Sequence, residues 1–264
     1  MAVVTPKRTA ALLDLVREGL PVRVESDGDF EDWNVMAPAK LAIVTKLFEG
    51  VVGSIPPDNR FRAEVLGRSL AEHAIAFAWL AANDGERERR LKQMVRGEFE
   101  SRSRAGNQLG DQIYGKERYE NLFETGRVPR VLLESETQSR LEELRNSEIP
   151  TPPGVLDMAL AADSYWVDRS EIIAHNPFAL VYFVLFTGPS FVTHTSITAV
   201  SRFVDGDPPH LTVGRERANL TSESPYGQSM MTFVNCLLVA SETLGWPSEE
   251  AIVAAMNVDS VTNG

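Results

Sequence analysis

Apolar residues return every three or four positions along most of this chain, and the period-two alternation of a half-buried strand is nearly absent. The pattern predicts helices separated by short breaks. Thr9 is placed to cap a first helix that Gly19 and Pro21 end. The acidic loop "DGDFEDWN" follows, and Pro38, at a first-turn position, opens "PAKLAIVTKLFEGVV". "GSIPPDN" closes that helix. Asp58 or Asn59 then caps the next one, which carries "RSLAEHAIAFAWLAA" and stops at "ANDG". Gly85 suits the left-handed position after its end.

From Glu86 to about Arg104 a charged helix is expected, with a thin apolar stripe of Leu91, Met94 or Val95, and Phe99. It is the one net-positive run of the chain, with basic residues at 87, 89, 90, 92, 96, 102 and 104. Its simplest role is a solvated face laced with ion pairs one turn apart; a phosphate-facing role is the sharper alternative. "AGNQLGDQIYG" is turn-rich, and short helical segments lead to about Arg145. "EIPTPPG" is the clearest break, and a candidate internal boundary near 149–154 of an otherwise single domain spanning 1–264.

Helices resume at about Val155 and run past "YWVDRSEIIAH". Asn176 as cap and Pro177 as first residue start "PFALVYFVLFT", which is apolar all round and therefore expected to be central. Gly188-Pro189 kinks or restarts the helix, which continues through "SFVTHTSITAVSRFV". A long loop follows, with an extended piece near Leu211 to Val213. "QSMMTFVNCLLVASETLG" is another buried helix, and "PSEEAIVAAMN" the last, with Glu249 and Glu250 complementing its dipole. The fold class is all-α.

Composition narrows the function classes. The 264 residues hold 26 basic and 37 acidic side chains, a net charge of −11, which argues against an extended DNA-binding surface or an anionic membrane as partner. Cys236 is the only cysteine, so neither an internal disulfide nor a cysteine zinc site is expected, and its apolar setting predicts a buried inert thiol. The longest apolar run, Phe178 to Phe186, is about half of the roughly 20 residues a membrane span needs. With no secretory pattern at the start, a cytoplasmic protein is expected. No phosphate-cradling glycine loop or His-Glu-x-x-His occurs, and one Glu171–His175 pair is far from a metal site, so no metal and no cofactor are expected.

Two stretches concentrate chemistry. In "RSLAEHAIAFAWLAA", successive residues step by about 100°, so Leu66, Leu70, His73, Phe77 and Leu80 share one apolar stripe. Arg68 and Glu72 lie on the other side with Glu64, Ile75 and Trp79. Arg68 is thus bracketed one turn either way by carboxylates, and stands about 140° from His73. In "FTGPSFVTHTS", Ser190 and His194 are four apart on one face. That spacing suits a side-chain hydrogen bond and lacks the orienting acid and oxyanion donors of acyl transfer.

On "LGRSLAEHAIAFAWLA" and "FTGPSFVTHTSITAVSRFV" the chain resembles domain-of-unknown-function family 5677, bacterial helical domains themselves similar to HEPN domains. The resemblance covers well under a quarter of the chain. That family carries Arg-x-x-x-Glu on an early helix, matched by Arg68 and Glu72. A later helix carries Tyr-x-x-x-Ser-x-x-x-His, matched by Phe186, Ser190 and His194. Phe186 departs from the tyrosine, and Gly188-Pro189 inside the motif is unusual. The resemblance implies a HEPN-like helical bundle with additional helices, in which Arg68, Glu72, Ser190 and His194 meet as one polar cluster. Such a cluster binds a small polar or nucleotide-like ligand, or holds a partner-binding bundle in register. The alternative it implies is a metal-independent ribonuclease acting as a homodimer, a toxin or defence component, with Arg68 and either His73 or His194 acting on RNA. A third reading is a structural or interaction protein with a protein partner.

Overall fold

The computed structural model describes residues 7–20, 32–54, 60–107, 135–187, 204–205, 212–213 and 223–258. Nearly all of these are helical. The α-helices are α1 (Lys7–Gly19), α2 (Trp33–Val52), α3 (Arg60–Ala81), α4 (Asp84–Asn107), α5 (Ser135–Asn146), α6 (Val155–Trp166), α7 (Glu171–His175), α8 (Phe178–Val181), α9 (Glu223–Leu244) and α10 (Glu249–Met256). A π-helical turn, Tyr182–Thr187, continues α8. β1 (Val204–Asp205) and β2 (Thr212–Val213) form a short antiparallel pair, Val204 opposite Val213. Among the described residues no helix is long and apolar enough to cross a membrane.

The chain divides into two compact units. One holds Asn34–Asn83 and the chain from Gly154 onward, together with α1; the other holds Asp84–Pro153 and a short piece ending at Trp33. The division at Pro153 falls within "EIPTPPG".

The first unit is built on α3. From Ala74 to Ala82 every residue is buried, and alanine at 74, 76, 78, 81 and 82 lets neighbouring backbones come close. α9 packs along it most extensively, with α6 and the π-helical turn also against it. Trp166 at the end of α6 is buried, and its indole N–H donates to the Ala78 carbonyl at 2.9 Å. α9 is buried without interruption from Thr232 to Ala240, and Phe233 stacks on Phe48 of α2 with centroids 4.5 Å apart. α1 packs on α10, where Gly19 lies under Trp246, too close for any side chain.

In the second unit α4 and α5 pack together, burying Leu91, Leu141 and Leu144. The proline-rich segment lies along α4: Gln93 donates to the Thr151 carbonyl at 3.4 Å, and Arg96 donates to that of Ile149. A Cβ on Gly97 would stand 2.6 Å from Pro152, so this glycine is what permits the approach.

Several boundaries differ from the sequence expectation, each for a local reason. Thr9 is inside α1, fully buried, and hydrogen-bonded to the Tyr226 hydroxyl instead of capping the helix. α2 begins at Trp33, so Pro38 is its sixth residue, past the first turn, and leaves the carbonyl one turn back without its intrahelical donor. The left-handed residue after α3 is Asn83, at φ 68°, and Gly85 is already helical in α4. Asparagine adopts that conformation more readily than other side-chain-bearing residues. Asn176 closes α7 and Pro177 caps α8, one residue from the expected start.

The apolar segment 178–187 is not wholly central. Phe178, Val181 and Leu185 are buried, whereas Leu180 and Phe183 are 40% and 58% exposed. Its backbone widens from α to π at Tyr182.

Candidate functional site

α3 carries Glu64, Arg68, Glu72 and His73 into three different settings. Glu64 is buried, Arg68 half-buried and Glu72 exposed, so the face grades from core to solvent along two turns. His73 is half-buried on the opposite stripe, beside Leu70 and Phe77, which are fully buried. Burial holds its pKa below the ordinary histidine value, and the Lys40 ammonium adds to this. His73 and Arg68 therefore project from α3 in different directions, as the helical step requires.

Arg68 leans on the π-helical turn. Its guanidinium lies 4.9 Å over the Phe186 ring, within cation–π range. Phe186 in turn stacks on Tyr182 at 5.1 Å, and Tyr182 meets Phe183 edge-on at 5.3 Å. Side chains four apart share one face of a helical turn. The 182–186 stack fits that spacing. One residue earlier on each element the contact continues: a Cβ on Gly67 would stand 3.5 Å from Leu185 Cδ2. Thus Gly67-Arg68 faces Leu185-Phe186 step for step. Ser190 and His194, the other members of the expected cluster, lie outside the described residues.

The turn is held in place by a residue that the sequence pattern did not single out. Asp163 of α6 accepts hydrogen bonds from the Phe178 and Ala179 backbone N–H groups at 2.7 and 2.8 Å, closing the N-terminus of α8 from another helix. Burial raises its pKa, against those two hydrogen bonds, which pull the other way.

α9 supplies the second group of unforeseen residues. Ser229, Thr232 and Asn235 are fully buried on a helix otherwise as apolar as expected. Asn235 Nδ2 donates to the Asn176 carbonyl at 2.7 Å, tying α9 to the start of α8. Thr232 donates to the carbonyl of Gln228 at 2.8 Å. Ser229 Oγ points at Gly67, 3.3 Å from where its Cβ would be. The available signal was the three-residue spacing of polar side chains within "QSMMTFVN", which hydropathy averaging hides.

Other candidates fall into structural roles. Cys236 is fully buried, and burial pushes its thiol pKa upward, so it is not a nucleophile. His175 Nδ1 meets the Glu171 backbone oxygen at 2.6 Å, so this pair is a local helical contact. Among the described residues no group of three or more His, Cys, Asp or Glu is placed to hold a metal ion. On α4 several basic residues face carboxylates of their own helix: Arg89 with Glu86 at 2.6 Å, Lys92 with Glu88 at 2.6 Å and Arg96 with Glu100 at 3.0 Å. This is the solvated, ion-paired face.

No family model matches the chain, and neither a search of curated proteins nor one of solved structures returns a match.

Proposed function

We propose that this chain is a cytoplasmic HEPN-like helical module that binds a small polar ligand on the Arg68 face of α3, with Glu72, Ser190 and His194 completing the site. The observation that carries this reading is the seating of Arg68 on Phe186. Phe186 is the first position of the second motif, four residues before Ser190, so the contact joins the two motif-bearing segments. A guanidinium held flat against an aromatic face has a fixed orientation, which suits a group that meets a ligand.

The test is thermal unfolding of the full chain against a panel of nucleosides, nucleotides and sugars. A ligand that raises Tm in the wild type and loses its effect in both Arg68→Ala and His194→Ala supports the reading. Arg68→Lys keeps the charge but not the planar stack, and is expected to retain only part of the effect. Ligand shifts indifferent to both positions would refute it.

The ribonuclease reading has one observation in its favour. His73 is only partly buried on α3, so its imidazole is within reach of a 2′-hydroxyl from which it could take a proton, and burial holds its pKa below the ordinary histidine value. It calls for a homodimer and for cleavage of single-stranded RNA in EDTA. That cleavage would be lost in Arg68→Ala and in either His73→Ala or His194→Ala. Intact RNA in the wild-type reaction eliminates it.

A further inference from the structure

α8 has four residues and the π-helical turn that continues it has six. So short a helix is not held in place by its own hydrogen bonds, since isolated helices below about 12–15 residues are marginal in water. Burial does not surround it either: Phe178, Val181 and Leu185 are buried, while Leu180 and Phe183 face solvent. Its place is set at its ends.

The first end is gripped from two helices. Asp163 of α6 accepts from the Phe178 and Ala179 N–H groups, and Asn235 of α9 donates to the Asn176 carbonyl. The three bonds fall within four successive residues, on both sides of Pro177. Asn235 is fully buried and Asn176 nearly so, yet Asn235 Oδ1 and Asn176 Nδ2 make no hydrogen bond. Burying an unmatched amide group costs stability. The best-attested use of a buried polar group kept at such a cost is to fix one arrangement against others.

The other end carries Phe186, with the Arg68 guanidinium over its ring. Both grips and Arg68 share one frame. α6 and α9 pack on α3, and Trp166 of α6 donates to the Ala78 carbonyl of α3. The contacts therefore close a circuit: from α3 through α6 and α9 to the start of α8, along the segment to Phe186, and back to Arg68 on α3.

We infer that Asp163 and Asn235 are positioning residues for Arg68: by clamping residues 176–179 between α6 and α9 they fix where the Phe186 ring lies, and with it the direction of the guanidinium. That this guanidinium meets a ligand rests on the function proposed above; the clamp itself does not depend on it. For a ligand, the clamp supplies preorganisation, because an arginine already held in one direction has less freedom to lose on binding.

The experiment is nuclear magnetic resonance of the full chain, reading the Arg68 δ-protons. An aromatic ring shields protons above its face, so in wild type these protons resonate upfield of their position in Phe186→Leu, which defines the unsupported value. Asn235→Ala and Asp163→Ala are each expected to move the signal more than halfway to that value. Asp163→Asn keeps one acceptor oxygen and loses the other, so it is expected to move the signal part of the way. Ile252→Ala empties a fully buried site on α10, and should lower Tm while leaving the Arg68 signal in place. Wild-type shifts in both alanine variants, with Tm lowered, would reduce the two residues to a structural role and overturn the inference. If the alanine variants do not fold, an unmoved signal in Asp163→Asn overturns it. A signal that is the same in wild type and Phe186→Leu removes the contact and overturns it as well. Failure of the ligand panel with the expected shifts intact removes the ligand and leaves the positioning role standing.

Discussion

α3 and α4 are successive helices of nearly equal length, 22 and 24 residues, and they are built on opposite principles. The second half of α3 has no solvent face. Its alanines and large apolar residues are buried all round, and packing against neighbouring helices supplies most of what stabilises it. α4 buries Leu91 and Gln93 while setting carboxylates and cations one turn apart along its exposed side, as in Arg89–Glu86 and Lys92–Glu88. The difference teaches where polar groups acquire meaning. On α4 a charge is one of many, paired within its own helix and screened by water. On α3 the same residue types stand beside a core, so Arg68, Glu64 and His73 each have a specific surrounding that a substitution would disturb.

The contrast predicts a steep gradient of effects. Phe77→Ala on α3, which empties a fully buried site, is expected to lower stability by about 3–5 kcal/mol in urea titration. A loss below about 1 kcal/mol would mean that α3 is not the packed centre of its unit. Asp163→Ala removes the acceptor from two helix-end N–H groups and is expected to cost about 1–2 kcal/mol. Hydrogen exchange should localise the loosening to α8 and the π-helical turn rather than spread it over α3.

His73 gives a pH signature that α4 lacks. Its folded pKa lies below the ordinary value of 6.5, so the unfolded chain binds the proton more readily. Stability contributed by the neutral ring is therefore complete above the ordinary histidine value and is lost as pH falls through that value toward the depressed one. His73→Gln should flatten the wild-type stability profile between about pH 7 and 5. An unchanged slope would remove His73 as its source.

The smallest effects belong to α4. A double-mutant cycle on Arg96 and Glu100, both less than a fifth exposed, should give a coupling of about 0.5–1 kcal/mol that shrinks in high salt. Lys92→Ala should leave Tm unchanged within error, because its partner Glu88 stands in open solvent. A large loss there would contradict the view of α4 as a solvated face.

Helix content, the buried thiol of Cys236, the His73 stripe and the ion-paired face of α4 follow from residue periodicity and residue type. Each depends on interactions within one turn or on the hydrophobicity of one face, and those are written locally in the chain. The ends of α2 and α3 were shifted because α2 starts five residues before Pro38 and holds the proline inside it, and because an asparagine takes the left-handed position after α3. Local rules rank such options without choosing among them.

What only the tertiary structure decided is which distant groups meet. Arg68 on Phe186, Asp163 under α8, Asn235 on Asn176 and Ser229 at Gly67 join residues 15 to 162 positions apart. Nothing in the spacing of either partner reports the other. These contacts exist because α6, α9 and the π-helical turn bury apolar surface against α3. Burial is non-directional, so the polar geometry it produces is set by how whole helices pack.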